Sequence, residues 1–563
     1  MDEPAVSAVA TRPSAKPDGP NVLLVFPRFN QNSFWSLRAA CDIYGARCPA
    51  PPLGLITVAA LLPPHWNLRL VDRNAEELAD ADLAWADLVF TGGMLPQRVD
   101  CTAVIDLCRV RGKPVVVGGP DATSSPEVYA QADFLVLGEA EGILDQFVTA
   151  WEEGERAGRF QAAKFKVDVA RSPIPRFDLL RPSNYLYIGV QFSRGCPFNC
   201  EFCDIIELFG RIPRSKTNQQ ILAELQALYD MGYRGHVDFV DDNFIGNKKT
   251  IKRFLPALEQ WQAEHGHPFM FSTEASINVA DDAELLGMMA KANFFAIFVG
   301  IESPDTNTLI AAQKKQNTRR SLADSVHRIY AAGMMVLAGF IVGFDTEEGG
   351  VAQAMIDCIE ATSIPVCMIG MLTALPGTQL TRRLEREGRL LPFDDPGRGD
   401  QCTAGLNFTT LRPRREILDD YRSVLLTVYR PAAFFERVRH VGMALRKTGL
   451  RANPEPGAQM APPRIARRDL VALLKVMARM TFIRTDLTVL FWRTFVGIAR
   501  SNPAALQAVV IQMVLFLHLG QFAKFVVREL DRQIDAIDRQ AKSLPVNDGP
   551  VARAAGRSAA LVR

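Results

Sequence analysis

Two series of short apolar runs, separated by helix-like segments, constrain the fold of this chain more than any other feature. The first series is NVLLVF (21–26), LRLV (68–71), DLVFT (87–91), PVVVG (114–118) and FLVL (134–137). The second is LYIGVQFS (186–193), HVDFVD (236–241), FMFST (269–273), FFAIFVGI (294–301), MMVLAGFIVG (334–343) and VCMIGML (366–372). Continuous Val- and Leu-rich runs of this length mark strands buried on both faces of a parallel sheet. The expected class is therefore α/β. The first series predicts a doubly wound, Rossmann-like domain over 21–150, which takes ligands beyond the carboxyl ends of its strands. The second predicts a partial (β/α)6 barrel over 181–410, with its chemistry at the corresponding strand ends.

A chain of 563 residues exceeds one core and has room for about three or four domains. Residues 1–20 contain neither an apolar run nor a signal-peptide core and are expected to form a disordered tail. Residues 151–180 are charged, then proline-rich (RSPIPRF), and read as a linker. From 411 to 563 the pattern becomes helical and basic. Residues 412–500 hold 18 Lys+Arg against 7 Asp+Glu, a net of +11, although the whole chain is only +2. So small a total charge implies no polyanion partner such as nucleic acid. No run reaches about 18 uninterrupted apolar residues, so no spanning helix is expected and the predicted location is cytoplasmic.

Of the ten cysteines, seven (Cys41, Cys48, Cys101, Cys108, Cys358, Cys367 and Cys402) are scattered singly and read as small buried hydrophobes of a reducing compartment. The other three lie in SRGCPFNCEFCD (193–204), spaced C-x3-C-x2-C at the end of the first barrel strand. Three thiolates can hold three irons of a 4Fe-4S cube and leave the fourth iron open. An open iron can chelate the amino and carboxylate groups of S-adenosylmethionine (SAM). Zinc prefers four protein ligands in pairs, and the chain has no second CxxC. Cys196, Cys200 and Cys203 are thus the candidate metal ligands. With Phe202 directly before the third cysteine, the motif resembles that of the radical SAM superfamily.

That resemblance implies a set of SAM contacts at successive strand ends. VDFVDDNF (237–244) offers Asp241, Asp242 and Asn243 to the SAM amino group, where a carboxylate suits an ammonium. STEASIN (272–278) offers Glu274 and Ser276 to the ribose and carboxylate. VGIES (299–303) places Glu302 at the same rim, and GFIVGFD (339–345) and LPGTQL (375–380) match the fifth and sixth strand ends. An acidic strand end is also a common helix cap, so each motif gains weight only from its register with the others.

In the first domain, Thr91-Gly92-Gly93, Gly118-Gly119 and Gly138-Glu139 each close an apolar run. Glycine there lets backbone approach a bulky ligand, or simply makes a tight turn. Together with PPLGLITVAALLP (51–63), which contains Gly54, and VVVGGPDATSSPE (115–127), their order upstream of the cysteines resembles the cobalamin-binding domain fused to radical SAM barrels. The resemblance spans roughly 21–410 and implies three cofactors: a 4Fe-4S cluster, SAM and cobalamin. No D-x-H-x-x-G motif is present and the first histidine is His65, so cobalamin is expected to bind without a histidine ligand.

The implied activity is methylation of an unactivated carbon in a small-molecule or lipid-like substrate, with a flavodoxin or ferredoxin as electron donor. Relatives with this organisation resemble hopanoid C-2 methylases. A non-methylating oxidation, cyclisation or rearrangement and a non-catalytic cobalamin or redox sensor stay open as alternatives. For AVVIQMVLFLHLGQFAKFVV (508–527) two readings also stay open: a helical cap on the barrel, or an interfacial surface making peripheral contact with the inner face of a membrane.

Overall fold

The computed structural model describes residues 19–391, 401–445 and 467–543, so nearly all of the expected N-terminal tail (1–18) lies outside the described residues. The first apolar series forms a parallel sheet of β1 (Asn21–Phe26), β2 (Asn67–Asp72), β3 (Leu88–Gly92), β4 (Val115–Gly118), β5 (Phe134–Leu137) and β6 (Gly158–Gln161), in the order β2-β1-β3-β4-β5-β6. Both faces are covered. Leu23, Val25 and Val89 belong to one core, and Val22, Leu24 and Phe90 to the other. The winding reverses between β1 and β3, which opens a crevice beyond their carboxyl ends.

Strand β6 corrects the reading of 151–180 as a linker. GRFQ is an edge strand that alternates half-buried and exposed residues and carries a single aromatic. It therefore lacks the continuous apolar signal of the strands beside it. Phe160 packs edge-on against Phe147 at 5.9 Å.

The second series forms six parallel strands in sequential order: β7 (Ile188–Val190), β10 (Gly235–Phe239), β11 (Phe269–Glu274), β12 (Phe294–Glu302), β13 (Met335–Val342) and β14 (Cys367–Met371). A small antiparallel hairpin, β8 (Ser193–Arg194) with β9 (Arg214–Ser215), brackets the cysteine loop. Phe239, Phe254, Phe271 and Phe294 are all buried and pack together, Phe239 lying 5.3 Å from Phe271 and 5.6 Å from Phe294. Their strand neighbours His236, Asp238, Met270, Ser272 and Glu274 alternate onto the opposite, lumenal face.

After the barrel come helices Arg414–Val428, Pro431–Ala444, Arg467–Ala478, Thr488–Ser501 and Leu506–Ser543. Arg437 is fully buried among them and donates to the Ile364 and Val428 carbonyls. Of the two readings of 508–527, the structure favours the helical cap over the interfacial surface: Val509, Met513, Phe516, Leu519 and Val526 are all buried. Residues 503–542 do pass as a candidate span by length and composition, but 61% of the most apolar window is covered by the protein.

Candidate active site

The cysteine loop is braced from three directions. From β10, Asp241 accepts hydrogen bonds from the Phe192 amide (2.9 Å), the Ser193 amide (2.5 Å) and the Ser193 hydroxyl (2.6 Å). Asp242 accepts from the Gly195 amide at 2.7 Å. Gly195 has φ of +97°, and a Cβ there would meet the Gly210 carbonyl at 3.0 Å, so the turn into Cys196 calls for glycine. From the opposite rim, Arg383 pairs with Glu201 at 2.6 Å, and the Glu201 amide donates to the Ala312 carbonyl.

Asp241 is completely buried with its oxygens engaged by backbone. This corrects the expectation that it contacts the SAM amino group: it positions the loop. Asp242 is only half-buried and keeps one oxygen available.

Around the three thiols the donors are soft and their neighbours suit a cluster. The Asn243 amide donates toward Cys196 Sγ at 3.8 Å, and that of Gln316 toward Cys200 Sγ at 3.6 Å. Burial pushes the Cys196 and Cys203 thiols up, so a cationic centre is needed to hold them as thiolates. The Lys314 ammonium lies in the field of these thiols, 2.6 Å from Glu302 Oε1 and 5.9 Å from the centre of the Phe202 ring. Gln316 Oε1 and Asn317 Oδ1 are buried without a hydrogen-bond partner. Among the described residues no three side chains converge on a single metal ion. A cube does not ask for that, because each thiolate binds a different iron. The donor set fits the cluster.

Lys314, Gln316 and Asn317 were not legible in the sequence. They follow β12 on a turn that brings them back to the cysteines, and KKQN carries no motif. Glu302 itself has φ of +67°, beside a register shift in β12. Such a conformation in a residue other than glycine is a common mark of a functional strand end. Ser276 is held by Asn243, whose Nδ2 lies 3.1 Å from its hydroxyl.

Glu274 has free surface although protein surrounds it, so its carboxyl faces the enclosed lumen. Burial, then the charges of Asp238, Asp242 and Asp241, push it up to about 8. Burial likewise raises Asp242 to about 6 and Asp238 to about 6. Crowded carboxyls of this kind would be relieved by a cation such as the SAM sulfonium or ammonium. Deeper in the lumen His236 Nε2 lies 2.6 Å from the Ser272 hydroxyl, which donates to Asp238. Tyr187 and Phe295 flank the imidazole at 4.9 Å, and burial lowers its pKa to about 3. Trp35, from the loop after β1, covers Phe298 at 5.5 Å.

The strand ends of the first domain face this site. Leu53 approaches Gly189 of β7, where a Cβ would sit 3.8 Å from Leu53 Cδ2. Gly54 beside it is exposed, with open space where its Cβ would point, and Met94 is also exposed. A Cβ on Gly92 would strike the Gly118 carbonyl at 2.2 Å, and one on Gly118 the Val136 carbonyl at 2.8 Å. Gly93, Gly119 and Gly138 are similarly close to Gln97, Gly93 and Ala162. The sheet itself thus calls for these glycines, and a flat ligand can approach the same backbone.

Two expected contacts are redirected. The Thr91 hydroxyl points into the core toward Cys101 Sγ at 3.9 Å. Glu139 is buried, pairing with Arg194 at 3.2 Å and Arg214 at 2.8 Å, and so clamps the first domain to the cysteine hairpin rather than lining the crevice. His65 precedes β2 at the amino edge of the sheet, remote from the crevice, and its ring lies 3.9 Å from Glu152.

Three thiols on a braced loop at the first strand end of a parallel half-barrel, beneath a Rossmann-like crevice, define an enzyme class that cleaves SAM at an iron–sulfur cluster. Family comparison agrees: the radical SAM superfamily matches residues 190–357, and a domain of unknown function, DUF4070, matches 378–532. An uncharacterized methyltransferase of Synechocystis is 43% identical over 92% of this chain and 95% of its own length. The hopanoid C-2 methylase of Rhodopseudomonas palustris is 33% identical over 89% of this chain and 93% of its own. Among solved structures, the radical SAM methyltransferase TsrM from Kitasatospora setae aligns with a TM-score of 0.57 at 15% identity, covering 73% of this chain and 89% of TsrM. The cobalamin-dependent radical enzyme OxsB aligns at 0.55 and 16%, covering 94% and 82%, and these two likenesses bear on the fold. The chain belongs to the radical SAM superfamily, in the methyltransferase group of these relatives.

Proposed function

We propose that the protein is a cobalamin-dependent radical SAM C-methyltransferase acting on an unactivated carbon of a small-molecule or lipid-like substrate. The observation that carries this reading is the apposition of two sets of strand ends. Leu53 and the Glu139–Arg194 pair bring the crevice of the first sheet over the mouth of the barrel. When bound, the cluster with SAM supplies a carbon-centred radical for hydrogen abstraction, and cobalamin supplies the methyl group.

The chain's own residues hold, orient and exclude water. Cys196, Cys200 and Cys203 would ligate the cluster. Asn243 and Gln316 would direct N–H groups at its sulfurs, the outer-shell contacts that tune such centres. Asp242, Glu274 and Glu302 would receive the cationic and ribose groups of SAM. Lys314 would hold the Glu302 carboxylate in place through their 2.6 Å ion pair. Cobalamin would lie against Gly54, Gly92, Gly93, Gly118, Gly119 and Gly138 with no histidine on the cobalt, because His65 is at the wrong edge of the sheet. Trp35, Met270, Phe295 and Phe298 give the lumen the apolar walls a lipid-like substrate needs, and His236–Ser272–Asp238 gives it one polar stripe. A flavodoxin or ferredoxin is the proposed electron donor, and the cytoplasmic face of a membrane the proposed place of work.

The test is anaerobic reconstitution with iron, sulfide, cobalamin, SAM and a low-potential reductant, followed by mass spectrometry. The expected result is both S-adenosylhomocysteine and 5′-deoxyadenosine, with a product of a lipid extract heavier by one methylene. Formation of 5′-deoxyadenosine without S-adenosylhomocysteine would turn the reading to non-methylating radical chemistry.

A further inference from the structure

Far from the cysteines, the Arg467–Ala478 helix turns the wrong side to solvent. It buries Ala472 and Val476 but leaves Leu470, Val471 and Leu474 exposed. The turn that follows exposes Phe482 (79%) and Ile483 (70%), and the next helix opens with Val489 at 77%. Six large apolar side chains are thus exposed within 20 residues. A soluble surface seldom gathers so many unless something covers them.

Exposed cations accompany these side chains. Lys475, Arg493 and Lys524 are exposed. Arg479 is only loosely paired with Asp42 at 3.9 Å, whereas Arg484 is neutralised by Asp486 at 2.7 Å. Arg493 lies one helical turn beyond Val489 on the same face. There it lines a cleft of about 440 Å³ with Arg430, Arg439, Phe435, Leu490 and Glu436. Arg439 is committed to Glu436, and Glu360 on the cleft wall to the buried Arg437. Arg430 and Arg493 have no carboxylate within 4 Å among the described residues.

We infer that the 470–493 surface docks the protein on a leaflet rich in anionic phospholipid, with Phe482, Ile483 and Val489 entering the headgroup boundary and Arg430 and Arg493 receiving lipid phosphate. Exposed apolar side chains accompanied by Arg430 and Arg493, neither in an ion pair with a carboxylate among the described residues, are the complement of such a surface, whose anionic headgroups overlie hydrocarbon. The docking helix is also coupled to the barrel. Lys475 donates to the Ile43 carbonyl at 3.3 Å on helix Arg38–Tyr44, and the loop just before that helix carries Trp35 onto Phe298 in the lumen. The inference deepens the lipid-like-substrate reading, yet vesicle binding requires no turnover and is judged independently of it.

The experiment is co-sedimentation of the full-length, cluster-loaded protein with vesicles of phosphatidylcholine, with or without about a third phosphatidylglycerol. The wild type should partition about tenfold more onto the anionic vesicles and lose that excess in high salt. Phe482→Ser with Ile483→Ser should remove most of the binding to both vesicle types. Arg430→Gln with Arg493→Gln should remove chiefly the anionic preference. All four side chains are exposed, so both double variants should keep wild-type iron content, which serves as the folding control. In Phe482→Trp, brominated lipid should quench more fluorescence than it does from the six native tryptophans. A wild type that stays in the supernatant, or a serine double variant that binds as the wild type does, overturns the inference. So does a wild-type dimer that the serine variant converts to monomer, since the face would then belong to a second copy of the chain.

Discussion

Glu274 is an acid whose lumen works against its ionisation. Its carboxyl is raised to about 8 by burial and by the neighbouring aspartates, so below that pH it holds its proton. A cation brought into the lumen favours the ionised form and draws the proton off. The sign follows: SAM affinity should rise as pH increases from about 6 to about 8, by up to about tenfold per unit for one proton released. Isothermal titration of the cluster-loaded protein across that range, in buffers of different ionisation heat, measures both affinity and proton release. Glu274→Gln should flatten the profile, and a flat wild-type profile would remove Glu274 from the SAM site. Asp241 makes the contrasting case. It is one residue from Asp242 yet its oxygens are bound to the loop. Asp241→Asn should cost about 1–3 kcal/mol through the donors it leaves mismatched. The expected outcome is lower iron content per chain, with an unchanged SAM dissociation constant for those molecules that keep the cluster. A weakened SAM constant at full iron content would restore Asp241 to direct contact.

At the scale of elements, Arg194 on β8 joins two domains. It pairs with Glu139 and Glu141 from the end of the first sheet, while Arg214 on β9 makes a second pair to Glu139. Burial alone would raise Glu141, but the Arg194 bonds outweigh it and hold the carboxyl down at about 2. A depressed carboxylate stabilises the fold above its unfolded pKa and loses that contribution as pH falls, here between about 4.5 and about 2. Arg194→Met strands the buried Glu141 carboxylate and leaves Glu139 to Arg214 alone; it should cost about 3–5 kcal/mol, read as an earlier first step in urea unfolding. No change in that step would mean that the junction is held elsewhere. These pairs also mark where sequence reading ends. The strands were legible because residues such as Leu23–Val25 and Ile297–Val299 lie in uninterrupted apolar runs. The cysteines were legible because their spacing is chemistry in itself. Strand β6 was not, because an edge strand needs only one buried side. Gln316 and the redirection of Glu139 were not, because each depends on a partner 50 or more residues away; nor was Lys314, which pairs with Glu302 across an intervening helix and turn, and no local pattern records these meetings.

At the scale of the molecule, the C-terminal helices complete the barrel rather than follow it. Six strands cannot close on themselves, so β14 is left as an edge, and an uncovered edge invites pairing with other chains. Here the later chain satisfies that edge. Tyr429 donates to the Cys367 carbonyl, Tyr421 donates to the Ile369 carbonyl at 2.6 Å, and the Met371 amide donates to the Gln401 carbonyl at 2.9 Å. Around these bonds Tyr421, Phe434, Val438, Val441, Phe491 and Val509 are buried. Each apolar side chain of this kind contributes about 1.5–3 kcal/mol. Six of them together approach the whole stability of a typical domain. Ending the chain at residue 410 would therefore orphan two carbonyls of β14 and expose the Ile359, Val366 and Ile369 layer beneath the cap. The expected result is a product that aggregates on expression, or that binds a hydrophobic dye and unfolds without a cooperative transition, even though every cluster ligand is still present. A soluble 1–410 chain that holds its full iron content and unfolds cooperatively would show that the barrel stands alone and that the helices are an accessory. Because truncation and loss of the cap are inseparable, membrane attachment has to be probed by point changes at the exposed side chains Phe482, Ile483, Val489 and Arg493, which spare the buried Leu487 and Phe491 between them.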